Sequence, residues 1–185
     1  MKEAGNMKRL NIGCGNDIRE GWINLDSVDL EGVDVCHDIN KLPLPFEDSS
    51  LDEVDCQDVL EHCTDYIAIV EDIHRILKRG GKLKIRVPHF TSKNAYTDPT
   101  HKVFFAFRTF HFFSKKSIKA RSYYFDFSFD PVQTEITFEG SMKIFFFNKL
   151  VKYLVNRNDR SRYIYESTFL SRLFPAENIV VTLTK

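Results

Sequence analysis

The sequence predicts an α/β fold, a doubly wound and mostly parallel sheet with an antiparallel terminal strand, in a single domain over residues 1–185. Three observations predict it. A short apolar run ends in a glycine turn, and a second run after it ends in a carboxylate, Leu10-Asn-Ile-Gly-Cys-Gly through Asn24-Leu-Asp26. Short apolar runs recur at Arg9 to Ile12, Trp22 to Leu25, Val33 to Cys36, Glu53 to Cys56 and Lys82 to Val87, each delivering polar residues or glycine at its end. A strongly periodic helix then joins two of them, and a strand, a crossover and another strand make a parallel sheet clothed on both faces, with ligands at its carboxyl edge.

The glycine turn comes first in the chain. Gly13 and Gly15 follow a strand directly, where a residue without a side chain lets the backbone bend tightly and approach a ligand. Asp26 ends the next strand, in position to accept hydrogen bonds from ribose hydroxyls. A dinucleotide site would need a third glycine where Ile18 stands, and its acid would come roughly 20 residues on. Asp26 lies only 11 residues beyond Gly15. A ligand with a ribose and no pyrophosphate fits this spacing better, against the alternative of an ordinary turn.

The helix spans Thr64 to Lys78. Ile67, Val70, Ile73, Ile76 and Leu77 step by three or four, Thr64 and Asp65 can cap its start, and Arg79-Gly80-Gly81 is expected to stop it. Farther on, Gln133 to Glu139 and Asn178 to Thr184 read as a terminal antiparallel pair. Tyr123 to Phe129 alternates aromatic and polar residues and reads as a strand with an aromatic face.

Composition divides the chain in two. Residues 1–90 hold 18 acids and 11 bases, and the remainder holds 8 and 15, within an overall balance of 26 and 26. Of 17 phenylalanines only Phe46 precedes position 90. The balanced charge and the lack of a basic stripe argue against a nucleic-acid partner. No apolar run approaches the ~18 residues of a spanning helix, and the N-terminus lacks a signal-peptide core, so a cytoplasmic location is expected. Cys14, Cys36, Cys56 and Cys63 show no Cys-x-x-Cys spacing, and neither a disulfide nor a metal is expected.

These motifs match a family. Ile12-Gly-Cys-Gly15, Asn24-Leu-Asp26, Asp38-Ile-Asn-Lys-Leu-Pro-Leu-Pro-Phe46, Leu51-Asp-Glu-Val54 with Val59-Leu-Glu-His62, and Ile76-Leu-Lys-Arg-Gly-Gly-Lys-Leu83 resemble the class I S-adenosylmethionine-dependent methyltransferases of the small type 11 sort, over residues 8 to 90. The resemblance implies a Rossmann-like fold and S-adenosyl-L-methionine as cofactor. It implies that the Gly13-Cys14-Gly15 backbone packs on the methionine part, that Asp26 takes the ribose, and that Asp38 and the Ile39 amide meet the adenine edge. Gln57, Asp58 and Val59 would line the pocket near the sulfonium. An adenine amino group wants a carboxylate and its ring nitrogen wants an N–H, which suits Asp38-Ile39, although Asp38 equally suits a turn cap. One departure stands out: Asn16 to Gly21 is too short for the full first helix of the family.

Methyl transfer chiefly requires a positioned nucleophile and exclusion of water. An oxygen nucleophile also needs a base, and His89 past the fifth strand, with Asp98 and His101 in Tyr96-Thr-Asp-Pro-Thr-His101, are the candidates. A turn role for Asp98 and His101 is the competing reading. His62 is weighed as a substrate contact or a structural residue. The aromatic half, residues 91–185, offers a core, a substrate wall or a homodimer face. Met142 to Val155 reads as a basic amphipathic helix that either packs on the sheet or lies in an anionic membrane surface. The chain is thus expected to be a methyltransferase for a small, medium or lipid-like acceptor. The rivals are a noncatalytic cofactor-fold partner and a nicotinamide dehydrogenase.

Overall fold

The computed structural model describes residues 7–116, 123–139 and 147–185. The strands are β1 (Arg9–Ile12), β2 (Ile23–Asp26), β3 (Val35–Cys36), β4 (Leu51–Gln57), β5 (Leu77–Pro88), β6 (Val132–Ile136) and β7 (Asn178–Thr184). They form one sheet in the order β3-β2-β1-β4-β5-β7-β6. The pairs among β1 to β5 are parallel, and β7 runs antiparallel to both β5 and β6. Chain order reverses between β1 and β4, which opens a crevice at their carboxyl ends.

Alternation along the strands assigns the two faces. Leu10 and Ile12, Val54 and Cys56, Leu83, Ile85 and Val87, and Ile179, Val181 and Leu183 are all fully buried on one face. Helix α1 (Tyr66–Ile76) packs there through Ile69, Val70, Ile73 and Ile76. Asp65 caps it by accepting from the Ala68 N–H at 3.0 Å. The buried aromatics Phe105, Phe110, Phe113, Phe127 and Phe129 join the same cluster. The short helix α2 (Asn94–Thr97) follows β5, and Phe107, Ile136, Val155 and Tyr165 form a smaller cluster nearby, drawing in α3 (Asn148–Val155) and α4 (Asp159–Ser167), with α5 (Leu170–Leu173) after them.

The opposite face differs from expectation. It carries Arg9, Asn11, Glu53, Asp55, Lys82, Lys84 and Arg86, with Lys82 and Lys84 exposed and the Lys84 ammonium 2.5 Å from the Glu53 carboxylate. Asn11 and Asp55 are covered by the Asn16–Gly21 loop, whose Arg19 reaches Asp55 at 2.5 Å and lies over Trp22. A connection this short cannot hold a helix, so a guanidinium lies where helical cover was expected.

Three further details depart from the sequence reading. Helix α1 ends at Ile76 because Leu77 is already extended. Gly80 and Gly81 therefore do not stop the helix but form a bulge in β5, between the pairs Leu51 with Leu77 and Glu53 with Lys82. A side chain at Gly81 would lie 2.8 Å from the Lys78 carbonyl oxygen. Tyr123 to Phe129 forms no strand: Phe127 and Phe129 are buried and the Phe129 N–H donates to the Phe113 carbonyl at 2.9 Å, but among the described residues the segment pairs with no neighbouring strand. Helix α3 begins at Asn148, and the expected helical residues 142–146 lie outside the described residues. Its apolar side chains do not all pack on the sheet, since Leu150 is 58% and Tyr153 67% exposed.

Candidate active site

The glycine turn is fixed by strand register. Gly13 and Cys14 donate to the Leu25 carbonyl at 2.8 and 3.1 Å, tying the end of β1 to β2. Gly13 and Gly15 have φ of 65° and 47°, a region other residues enter only with strain. They serve differently. A Cβ on Gly13 would meet Val59 Cγ2 at 2.3 Å, whereas one on Gly15 would meet nothing within 4 Å. Gly13 thus lets the loop after β4 close in, and Gly15 leaves an open cradle.

Asp26 stands beside that cradle. Its Oδ2 accepts from the Gly15 N–H at 2.8 Å and its Oδ1 from the Val28 N–H at 3.0 Å. Each oxygen retains acceptor capacity, so a half-buried carboxylate is available to ribose hydroxyls. Asp38 caps a turn, accepting from the Asn40 amide at 3.0 Å, and the Asn40 groups hold its carboxyl below the usual range. Ile39 beside it is buried. Gln57 bonds Asp55, and Asp58, at a positive φ of 55°, pairs with Arg86. The open cradle and the carboxylate at the β2 end suit an adenosine ligand.

On the far side of Val59 the chain makes one turn of 3-10 helix, Leu60–His62, whose His62 N–H bonds the Val59 carbonyl at 3.0 Å. The Glu61 carbonyl accepts from the Lys102 and Val103 amides at 2.7 and 3.2 Å. Those bonds dock the segment holding Asp98 and His101 onto the turn. The structure accordingly brings together Glu61, His62 and His101. His62 and His101 rings meet edge-on at 4.7 Å, and His101 Nε2 lies 4.0 Å from Glu61 Oε1. Burial pushes the Glu61 carboxyl up to about 7. Burial, reinforced by His101, lowers the His62 pKa.

Asp98 reaches this group indirectly. The Thr100 hydroxyl donates to Asp98 Oδ1 at 2.6 Å and lies 2.8 Å from His62 Nδ1. His89 is placed elsewhere. It is 0% exposed, with Nδ1 2.8 Å from the Thr91 hydroxyl and Nε2 2.9 Å from Glu166. Both nitrogens are occupied in the core, so His89 ties β5 to α4 and lines neither described cavity. Glu61, which the sequence reading did not single out, occupies the central place. Its signal was the adjacent Glu61-His62 pair at the end of a strand-turn unit.

Two cavities meet at this site. One, of about 850 Å³, is lined by Asp58, Glu61, His62, Arg86, Asp98 and His101 among others. The other, of about 580 Å³, lies between Lys93, Tyr96, Asn148 and Leu173. They share Asn94 and Glu177.

Residues 7–85 match the family described as Methyltransferase domain. A demethylmenaquinone methyltransferase from Listeria welshimeri is 34% identical over 68 residues, which are 37% of this chain and 28% of that protein. The match thus covers under a third of the relative's length. A solved S-adenosylmethionine-dependent methyltransferase from Archaeoglobus fulgidus superposes over 98% of this chain and 87% of its own, with 22% identity and a TM-score of 0.66. Phosphoethanolamine N-methyltransferase 2 from Haemonchus contortus, solved with S-adenosyl-L-methionine, superposes over 97% of this chain and 48% of its own, at 18% identity and a TM-score of 0.55. These likenesses agree with the sheet order and the glycine turn. Residues 7–85 thus match the Methyltransferase domain family, and the chain shares its fold with solved S-adenosylmethionine-dependent methyltransferases.

Proposed function

We propose that this protein binds S-adenosylmethionine across the Gly13–Gly15 turn and transfers its methyl group to a small or medium acceptor. The carrying observation is one contact: Gly13 packs on Val59, whose own carbonyl holds His62. That chain of contacts supports a cofactor cradle neighbouring the cavity of Glu61, His62 and His101. When bound, the cofactor supplies an electrophilic methyl on a sulfonium. The protein's residues do the rest. Asp26 orients the ribose, and Asp38 with Ile39 holds the adenine. The backbone of Gln57, Asp58 and Val59 lines the reacting end.

The acceptor occupies the larger cavity. A bound cofactor would offer its methyl group to the acceptor's nucleophilic atom and leave as the neutral thioether; the acceptor's proton leaves into the cavity on the His62–His101 side, with Asp98 orienting His62 through Thr100. The joined smaller cavity takes the remainder of the molecule, and its Tyr96 and Leu173 suit a lipid-like portion. His89 is left out of this role because both its nitrogens are engaged in the core. Stabilisation by S-adenosylhomocysteine and none by NAD is the expected thermal-shift result, since only a ligand of the native state raises apparent stability. His101→Ala should lower turnover by about 100-fold or more while leaving S-adenosylhomocysteine affinity unchanged. Unchanged turnover removes His101 from the reaction.

A membrane contact has its own support. Leu150, Tyr153 and Leu154 of α3 and Phe169 and Leu173 beside it are exposed, with Lys149 on the same short helix. Apolar side chains flanked by lysines are what an anionic lipid surface takes up. Cosedimentation with anionic liposomes at low salt is expected, with loss in Leu150→Asp. No sedimentation of the unaltered protein would sink it. A homodimer through the same exposed side chains is the competing use, and light scattering without lipid distinguishes it.

A further inference from the structure

We propose that Glu61, His62 and His101 bind a divalent first-row transition-metal ion, with open coordination positions facing the larger cavity. One ligand atom from each, a carboxylate oxygen and two imidazole nitrogens, already lies within 4.8 Å of the others. Ligands 2.1 Å from a common ion stand about 3 to 3.5 Å apart, so each side chain would move inward by roughly 1 Å on binding.

The protonation pattern is set for ligation. The Ala95 carbonyl can only accept, so the His101 nitrogen 3.1 Å from it, Nδ1, carries the proton. The Thr100 hydroxyl spends its proton on Asp98, so its oxygen accepts from His62 Nδ1. In both rings Nε2 is left with its lone pair. A second hydrogen bond that fixes the tautomer in this way is the usual companion of a metal-bound histidine. Glu61 completes the set. Its side chain is 1% exposed, yet neither carboxylate oxygen has a hydrogen-bond partner. A buried carboxylate without donors is costly to keep, and a cation between it and two imidazoles removes the cost. The cavity is also rich in acids, with Asp58, Glu61, Asp98 and Glu177 against Arg86, which is itself paired with Asp58.

Two imidazoles and a carboxylate suit Zn²⁺, Fe²⁺, Mn²⁺ or Co²⁺ rather than Mg²⁺ or Ca²⁺. If the proposed function holds, on which this role rests, the ion would lower the pKa of an acceptor oxygen toward neutrality, and with both imidazoles ligated its proton would pass to water in the cavity.

Metal uptake is tested without the reaction. The full chain, stripped with EDTA, is titrated with Co²⁺ and then Zn²⁺. The expected result is one equivalent of Co²⁺ with visible ligand-field bands, displaced by Zn²⁺ with a rise in melting temperature. Glu61→Gln and His101→Ala should abolish the bands, and Asp98→Asn, which loosens His62 through Thr100, should weaken binding about 10- to 100-fold. S-adenosylhomocysteine stabilisation, measured on each variant, reports that it folds. A stripped wild-type protein that takes up neither Co²⁺ nor Zn²⁺ overturns the proposal, as does uptake unchanged in both Glu61→Gln and His101→Ala. The wild-type titration decides even where a variant fails to fold. Co²⁺ bands without S-adenosylhomocysteine binding uphold the metal site and defeat the methyltransferase reading. The reverse pattern upholds that reading and defeats the site.

Discussion

The two halves of this chain are ordered by different interactions. Residues 7–90 are held by backbone register: five parallel strands, a glycine turn tied to Leu25, and one capped helix. Residues 91–185 contribute two strands and four short helices among the described residues, and rely on packed rings such as Phe105 on Phe110 at 5.4 Å and Phe113 on Phe127 at 5.5 Å. Main-chain bonds specify position closely and depend little on which apolar side chain stands nearby. Ring packing specifies volume. Under the proposed function, the first half holds the cofactor geometry and the second sets what faces it.

The largest expected effect breaks the packed half. Phe129 is fully buried against His74 and Phe127, and Phe129→Ala should cost about 3 to 5 kcal/mol in a denaturant titration. Loss of stability with S-adenosylhomocysteine affinity retained in the folded fraction would sharpen the division, and equal loss of both would erase it.

The glycine turn gives a smaller effect with a built-in contrast. Gly13→Ala combines a left-handed φ with a clash on Val59 and should cost about 2 to 4 kcal/mol. Gly15→Ala meets no neighbour and should cost only about 1 to 2 kcal/mol, yet it fills the cradle. Calorimetry should show cofactor affinity lost in the Gly15 variant despite its milder unfolding. Retained affinity there would mean that the cradle is not where the ligand lies.

The smallest effect lies where the halves touch. His74 of α1 stands 5.0 Å from the Phe129 ring, and burial pulls its pKa below the ordinary imidazole value, with Lys185 adding to the shift. Folding thus favours the neutral ring. Its contribution is whole above the unfolded-state pKa of about 6.5 and is lost as pH falls through that value toward the folded one. Melting temperature should fall between about pH 7 and pH 5 less steeply in His74→Gln than in the unaltered protein. Identical slopes would mean that the interface does not exclude water from this ring.

Legibility cut across that division. The end of β1, the whole of β7 and the cap of α1 at Asp65 could be read from local pattern, because period and capping depend on neighbours in sequence. Gly80 and Gly81 misled because a helix stop and a strand bulge use the same residue type. Tyr123 to Phe129 misled because alternation records which side chains are buried and does not provide a partner strand. The site showed both outcomes. Asp26 and the glycines were visible as a motif, whereas Glu61 was hidden inside one, and His89 read as a base past the fifth strand although Glu166 engages its Nε2 in the core.

By itself the sequence determined the glycine turn and the run of short parallel strands, since each depends on a few consecutive residues. Tertiary structure alone decided that one sheet face stays open and charged, and that His101 meets His62 across 39 residues of chain. The reason is physical. The Glu61 carbonyl bonds Lys102 and Val103 across a stretch of chain that holds α1 and β5, and no pattern of neighbouring residues records a contact whose loop is closed by the rest of the core.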